Sequence, residues 1–176
     1  MLKAKFIKFK IGSIEALSIY HYDESIRKLI YQFKGCYDVE LKNIFLFRYV
    51  TFLKIKYLGY IVIPIPSSKV DDEKRGFNHV KEMFSILKMN TIDGLEKISQ
   101  EKQSSLTSKN RLNINDKLIL KNKDSITSKK ILIVDDIYTT GATMFKAIEL
   151  IKKAKPKDIK VLTIAKTIDL DKRQKK

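Results

Sequence analysis

The period of the apolar positions changes several times along the chain, and each change predicts an element. Residues 4–11 alternate lysine with Phe6, Ile7, Phe9 and Ile11, roughly a strand pattern. Asp23 is a good N-cap, and Ile26, Leu29, Ile30 and Phe33 follow it as one helical stripe that Gly35 ends. Asp38 is placed to cap a second, longer helix reaching about Tyr57, apolar on nearly all sides in its middle and therefore largely buried. Tyr60–Pro66 is a short, β-branched apolar run closed by proline, which reads as a buried strand feeding a loop. Val80, Met83, Phe84 and Leu87 give another helical stripe. Residues 99–113 have few apolar anchors and read as an exposed, mobile loop with at most one helical turn. Ile131–Val134 is a second buried strand, Met144, Ala147, Ile148 and Ile151 mark the helix after it, and Lys160–Ala165 is a third strand. Strands alternating with helices predict an α/β domain with a mainly parallel central sheet flanked by helices.

Length and composition narrow the class. A chain of 176 residues with 44% apolar content is one domain that buries a core without disulfide or metal staples. The densest apolar patch, Ile44–Leu53, is about half of what a bilayer needs and contains Arg48, so no membrane insertion is expected. The N-terminus lacks the apolar run of a signal peptide. The single cysteine, Cys36, excludes a disulfide framework and a cysteine-cluster zinc site, and a reducing cytoplasm is the expected compartment. The net charge of +16 invites a polyanion partner, yet only five of the 36 basic residues are arginine, the residue that reads bases and phosphates with a planar fork. A basic surface that serves solubility stands beside a real polyanion site. The tail Lys172–Lys176 reads as a solvated end.

The chemistry concentrates in Ile131–Thr143, ILIVDDIYTTGAT. Asp135 and Asp136 follow an apolar strand, at the edge where ligands bind in open α/β sheets. Thr139, Thr140, Gly141, Ala142 and Thr143 then make a loop of small residues before a helix. Backbone N–H groups, hydroxyls and the helix N-terminus there suit a phosphate. The carboxylates repel phosphate but accept from sugar hydroxyls or approach Mg²⁺, so the pair beside the cradle fits a phosphorylated ribose. A helix cap or turn is the plain alternative for an Asp pair. The acidic element of a P-loop hydrolase lacks its partner, because no two of the six glycines fall in G-x-x-x-x-G-K-[ST] spacing.

VDDIYTTGAT resembles the phosphoribosyl-pyrophosphate (PRPP) loop of type I phosphoribosyltransferases. PIPSSKVDDEKRGFNHV (64–80), YDESIRKLIYQFKGCYD (22–38) and KQSSLTSKNRLNIN (102–115) are similar to segments of the ComF branch of that family. The matches run from about residue 20 to 168. The resemblance implies a type I phosphoribosyltransferase-like fold with a small N-terminal elaboration: a hood-like 1–58, a core at 59–170 and a basic tail at 171–176. It implies that Asp135 and Asp136 are the catalytic pair and bind ribose, and that Thr139, Thr140, Gly141, Ala142 and Thr143 bind the 5′-phosphate. Ser67, Ser68 and Lys69 would meet pyrophosphate. Arg75 would either join them or cap the next helix. Lys102, Gln103 and Arg111 would belong to a flexible loop closing over PRPP, with a solvated basic loop as the alternative. Phe77 reads as a core residue and Asn78 as an N-cap; His21, His79 and Cys36 carry no evident chemistry. Asp71, Asp72 and Glu73 would weaken pyrophosphate binding if turned inward.

The cofactor implied is Mg²⁺ carried by PRPP, without direct protein ligation. The zinc motif of many ComF-like proteins has no counterpart here. The partners implied are PRPP or a nucleotide, with single-stranded DNA, competence proteins and a second copy of the chain as further candidates. Three functions follow: phosphoribosyl transfer to a nucleobase in the service of DNA uptake, a non-catalytic PRPP or nucleotide sensor, and a single-stranded DNA-binding component of the competence machinery. The acceptor base is not legible in the residues.

Overall fold

The computed structural model describes residues 3–35, 39–67, 72–73, 76–98 and 117–167. Strands β1 (Ile7–Ile11), β2 (Ile14–His21), β3 (Tyr60–Pro64), β6 (Lys130–Tyr138) and β7 (Asp158–Lys166) form one sheet in the order β1-β2-β7-β6-β3. β2, β7, β6 and β3 pair in parallel, and β1 adds an antiparallel edge by a hairpin to β2. The alternation of strands and helices therefore resolves into the mainly parallel sheet that the apolar periods predict. The inner strands are mostly apolar, as in Ile131–Val134 of β6, because both faces are covered, with Ser18 and Thr163 buried among them.

Helix α1 (Glu24–Gly35), helix α2 (Val50–Lys56) and helix α3 (His79–Ser85) cover one face. Their core includes Ile26, Ile30, Phe33, Phe45, Leu53, Val80 and Met83 against Leu132, Val134, Leu162 and Ile164. A four-residue helix α4 (Lys123–Ile126) and helix α5 (Ala142–Lys152) cover the other, where Met144, Ala147, Ile148 and Ile151 meet Ile131, Ile133 and Val161. The stripes read from the sequence are the buried stripes of α1, α3 and α5. Asp23 caps α1, its Oδ1 accepting from Ile26 N at 3.0 Å. Asn78 caps α3, its Oδ1 accepting from Lys81 N at 2.9 Å.

Four expectations change. Ile14–His21, to which the apolar pattern assigns no element, is β2 and lies inside the sheet beside β7. β2 thus pairs with β7 within the central sheet. The long buried helix before Tyr57 is instead 3₁₀ segments at Val39–Asn43 and Phe47–Tyr49 followed by the seven-residue α2. Phe45, Leu46, Leu53 and Tyr57 enter the core, whereas Phe47, Ile55 and Leu58 are 71%, 73% and 79% exposed. A segment apolar on every side does not declare which side it buries. A second, antiparallel ribbon pairs β4 (Leu95–Ile98) with β5 (Lys117–Leu120), Ile98 opposite Lys117, so the two ends of the 99–116 stretch start from adjacent points. Finally, β6 does not stop at Val134 but continues through both aspartates to Tyr138.

Candidate functional site

That longer strand decides where the carboxylates go. Side chains alternate across a strand. Leu132 and Val134 face the α1 side and Ile131 and Ile133 the α5 side. Asp136, in phase with Val134, is buried against α1 and α3, where Lys34 Nζ forms an ion pair with its Oδ2 and His79 Nε2 lies 3.5 Å away. Asp135 instead borders a small cavity of ≈ 50 Å³ made with Tyr138, Thr139, Thr140, Gly141, Ala142, Thr143 and Met144. Each carboxylate also bonds along the chain: Asp136 N donates to Asp135 Oδ1 at 2.9 Å, and Ile137 N to Asp136 Oδ1 at 2.7 Å.

The two environments pull the acids apart. Burial opposes the charge on Asp136, but the His79 contact and the Lys34 ammonium outweigh it and hold the carboxyl below the usual range. Burial raises Asp135 well above that range, and the Asp136 charge beside it adds to the rise. Thr163, the register partner of Asp135 on β7, is fully buried, with no hydrogen-bond partner for Oγ1 among the described residues.

The loop after β6 has the form a phosphate cradle needs. Gly141 sits at φ 80°, in the left-handed region that glycine enters without strain, and opens α5. The phenol of Tyr138 packs directly over it, leaving no room for a Cβ. Tyr138 is itself held by the Phe9 ring, 4.8 Å between centroids, and by the Lys166 ammonium, 5.6 Å from its ring centre. Thr139, Thr140, Ala142 and Thr143 are exposed at the mouth, and Ala142 N donates to Thr140 Oγ1 at 3.4 Å.

Beside the cradle, Pro66, Lys97, Leu118, Ala142, Thr143 and Lys146 line a hollow of ≈ 290 Å³, so the β4–β5 ribbon and the end of β3 meet the loop. Ser67 donates to Asp72 Oδ1, and Asn78 Nδ2 donates to Ser67 Oγ at 3.0 Å and to Asp72 Oδ2 at 2.9 Å. Asp72 is thus turned inward, to a structural knot, while Glu73 is exposed. Because Asn78 is both cap and knot, Asn78→Ala is expected to cost about 1–2 kcal/mol in chemical unfolding. Phe77 is half-buried, 5.4 Å from the Phe33 ring. Ser68, Lys69, Asp71, Arg75, Lys102, Gln103, Arg111, Cys36 and Asp38 lie outside the described residues.

Sequence reasoning missed Lys34 and His79. His79 reads from the chain as a histidine with no carboxylate partner in useful spacing; the structure corrects this by bringing it under Asp136. No linear spacing signals such a contact, since α1, α3 and β6 supply one residue each.

A second concavity opens on the α1 side. It is a cleft of ≈ 610 Å³ lined by Tyr22, Arg27, Lys28, Ile30, Tyr31, Lys34 and Ile137. Ile137 lines both this cleft and the cavity of loop 139–143, so the two adjoin at the end of β6.

The phosphoribosyl transferase domain model matches residues 73–176. The chain is 32% identical over 149 residues to Competence protein ComFC of Streptococcus pneumoniae, covering 85% of this chain and 67% of that protein. It is 30% identical over 153 residues to Competence protein ComFC of Bacillus subtilis, covering 85% and 63%. The chain thus spans about two thirds of the length of these curated relatives. Among solved structures it is similar to a hypoxanthine-guanine phosphoribosyltransferase from Bacillus anthracis, with TM-score 0.46, 19% identity, and 73% and 70% of the two chains covered. A purine phosphoribosyltransferase from Pyrococcus horikoshii gives TM-score 0.43, 14% identity, and 73% and 87% coverage. No helix among the described residues is long and apolar enough to cross a membrane. With the family model over most of its length, two ComFC relatives and a mainly parallel sheet whose β6 ends in the Asp-Asp-Thr loop, this chain belongs to the ComF family of proteins with a type I phosphoribosyltransferase fold.

Proposed function

We propose that this protein binds PRPP with Mg²⁺ at the end of β6, transfers its phosphoribosyl group to a nitrogen heterocycle, and serves DNA uptake from the cytoplasm. The observation that carries the reading is the loop 139–143. A glycine at φ 80° opens an eleven-residue helix beside three threonines, with Asp135 on the rim of the same cavity. A 5′-phosphate there would meet backbone N–H groups and the positive end of α5. Asp135 would accept from a ribose hydroxyl through its second oxygen, the first being engaged by Asp136 N. Asp136, paired with Lys34, would act on the same sugar only from behind that ammonium, and otherwise fixes the end of β6 to α1 and α3.

Ser67, with Ser68, Lys69 and Arg75, would hold pyrophosphate, and Lys102, Gln103 and Arg111 would cover it. The residues present fit a metal carried by the ligand: Asp136 is taken up by Lys34, while Asp135 would offer an oxygen to the sugar or to a metal-bound water. When bound, Mg²⁺ supplies neutralisation of the pyrophosphate charge. Competence, the role in the names of both curated relatives, supports the assignment to DNA uptake.

Calorimetric titration of PRPP with Mg²⁺ tests this. Affinity in the micromolar class, about −8 kcal/mol, is the expected result; absence of heat and of thermal stabilisation would overturn it. Because burial and the Asp136 charge raise Asp135 well above the usual carboxylate range, engaging a ribose hydroxyl as a carboxylate works against that rise. Affinity is therefore expected to rise as pH rises through the elevated Asp135 range, with proton release seen as a dependence of the heat on buffer ionisation enthalpy. Asp135→Asn should abolish both.

A further inference from the structure

The α1 cleft is where an acceptor would stand, and its chemistry is unusual for a neutral one. Arg27, Lys28 and Lys34 put three cationic side chains on its lining, Tyr22 and Tyr31 add two aromatic faces, and the lining holds no carboxylate and no imidazole among the described residues. Lys28 is partly engaged by Glu24 at 2.9 Å and Lys34 by Asp136. Arg27 is exposed and has no carboxylate partner among the described residues. Through Ile137 the cleft adjoins the cradle, so a flat ring held there would lie next to the sugar carbon of a ligand whose phosphate sits in loop 139–143.

We infer that this cleft selects an anionic aromatic acceptor: a carboxylated heterocycle that attacks through a pyridine-type nitrogen, its carboxylate on Arg27 and its ring between the tyrosines. The inference rests on the PRPP reading for the donor. A guanidinium presents a two-pronged donor that matches a carboxylate, and aromatic faces accept a planar ring. The second part follows from proton balance. A neutral ring N–H must lose its proton when nitrogen bonds to the ribose carbon, and among the described residues no group lining the cleft is a base. Asp136 is committed behind Lys34, and Asp135 lines the cavity of loop 139–143 and not the cleft. A pyridine-type nitrogen needs no base. Its lone pair forms the N–C1 bond, the C1–O bond to pyrophosphate breaks, pyrophosphate leaves with that electron pair, and no proton moves.

The test compares pyridine-3-carboxylate, benzoate and hypoxanthine by calorimetry against the full chain and its Arg27→Ala and Arg27→Lys forms, with PRPP–Mg²⁺ titrated separately. The two carboxylates are expected to bind at least tenfold more tightly than hypoxanthine. Arg27→Ala should lose about tenfold for them and Arg27→Lys should recover part of it. With PRPP present, only pyridine-3-carboxylate should release pyrophosphate. Hypoxanthine binding as tightly, carboxylate binding indifferent to Arg27, or pyrophosphate release with hypoxanthine at a comparable rate would overturn the inference. So would binding of oligothymidylate that needs Arg27 while pyridine-3-carboxylate does not bind. If PRPP fails to bind but the carboxylates still need Arg27, the cleft's selectivity stands and the donor reading falls.

Discussion

Replacing either of two adjacent aspartates by its amide is expected to move stability in opposite directions. Asp136→Asn should destabilise the protein by about 3 kcal/mol, the lower end of the cost of stripping one partner from a buried ion pair. Asparagine keeps the bond from Ile137 N but leaves the Lys34 ammonium and the His79 ring facing a neutral amide in the core. Lys34 is the more exposed partner, which moderates the loss. Asp135→Asn should leave stability at neutral pH unchanged or raise it, because the fold disfavours a charge that asparagine does not carry.

The pH dependence separates the two further. Asp136 has a depressed pKa, so its contribution is present above the ordinary carboxylate range and is lost as pH falls through the depressed folded value. The gap between wild type and Asp136→Asn should therefore close in strong acid. Asp135 has a raised pKa, so its contribution is present below the ordinary carboxylate range and is lost as pH rises through the elevated folded value. Hence Asp135→Asn should gain on wild type as pH rises. Urea midpoints across pH measure both. Equal effects of the two substitutions would mean that the carboxylates share one environment.

Gly141→Ala is the second large effect. An alanine at φ 80° costs about 1–2 kcal/mol of backbone strain. Its Cβ would also run into the Tyr138 phenol, with Cε2 2.9 Å away and Oη and Cζ nearer still. The ring can retreat only by leaving Phe9 and Lys166. The total should reach about 2–3 kcal/mol, with PRPP affinity reduced by at least about a hundredfold as the cradle is displaced. In Tyr138→Ala/Gly141→Ala the clash is gone and the strain stays. The pair should then be less destabilised than the sum of its singles, by about 1 kcal/mol. Strict additivity would remove Tyr138 from the account of the loop.

These effects show which parts of the molecule are local. The stripes of α1, α3 and α5, the caps Asp23 and Asn78, and the glycine loop depend on neighbours within a few residues, so the chain declares them. β2 escaped notice because Ala16, Leu17, Ser18 and Ile19 are all buried, and a strand covered on both faces loses its alternation. The segment 44–58 misled for the opposite reason: apolar residues on every side gave no preferred face, and Phe47, Ile55 and Leu58 were left to solvent. At the site, the Asp pair was legible but the different surroundings of its two members were not. That depends on β6 running on to Tyr138, which follows from pairing of Asp135, Ile137 and Tyr138 with Thr163, Ala165 and Lys166 of β7. Lys34 and His79 reach Asp136 from helices that are distant in sequence, and only the tertiary packing brings them there.

The central claim is that loop 139–143 holds a phosphate, and backbone amide resonances report on it directly. In ¹H–¹⁵N spectra of the labelled protein, PRPP with Mg²⁺ is expected to shift the amides of Thr139 to Thr143 most, with Asp135 following and α2 unmoved. Those shifts should vanish in Gly141→Ala. If saturating PRPP leaves these amides in place, or moves α2 and the outer face of the ribbon instead, the cradle does not hold the ligand and the account fails.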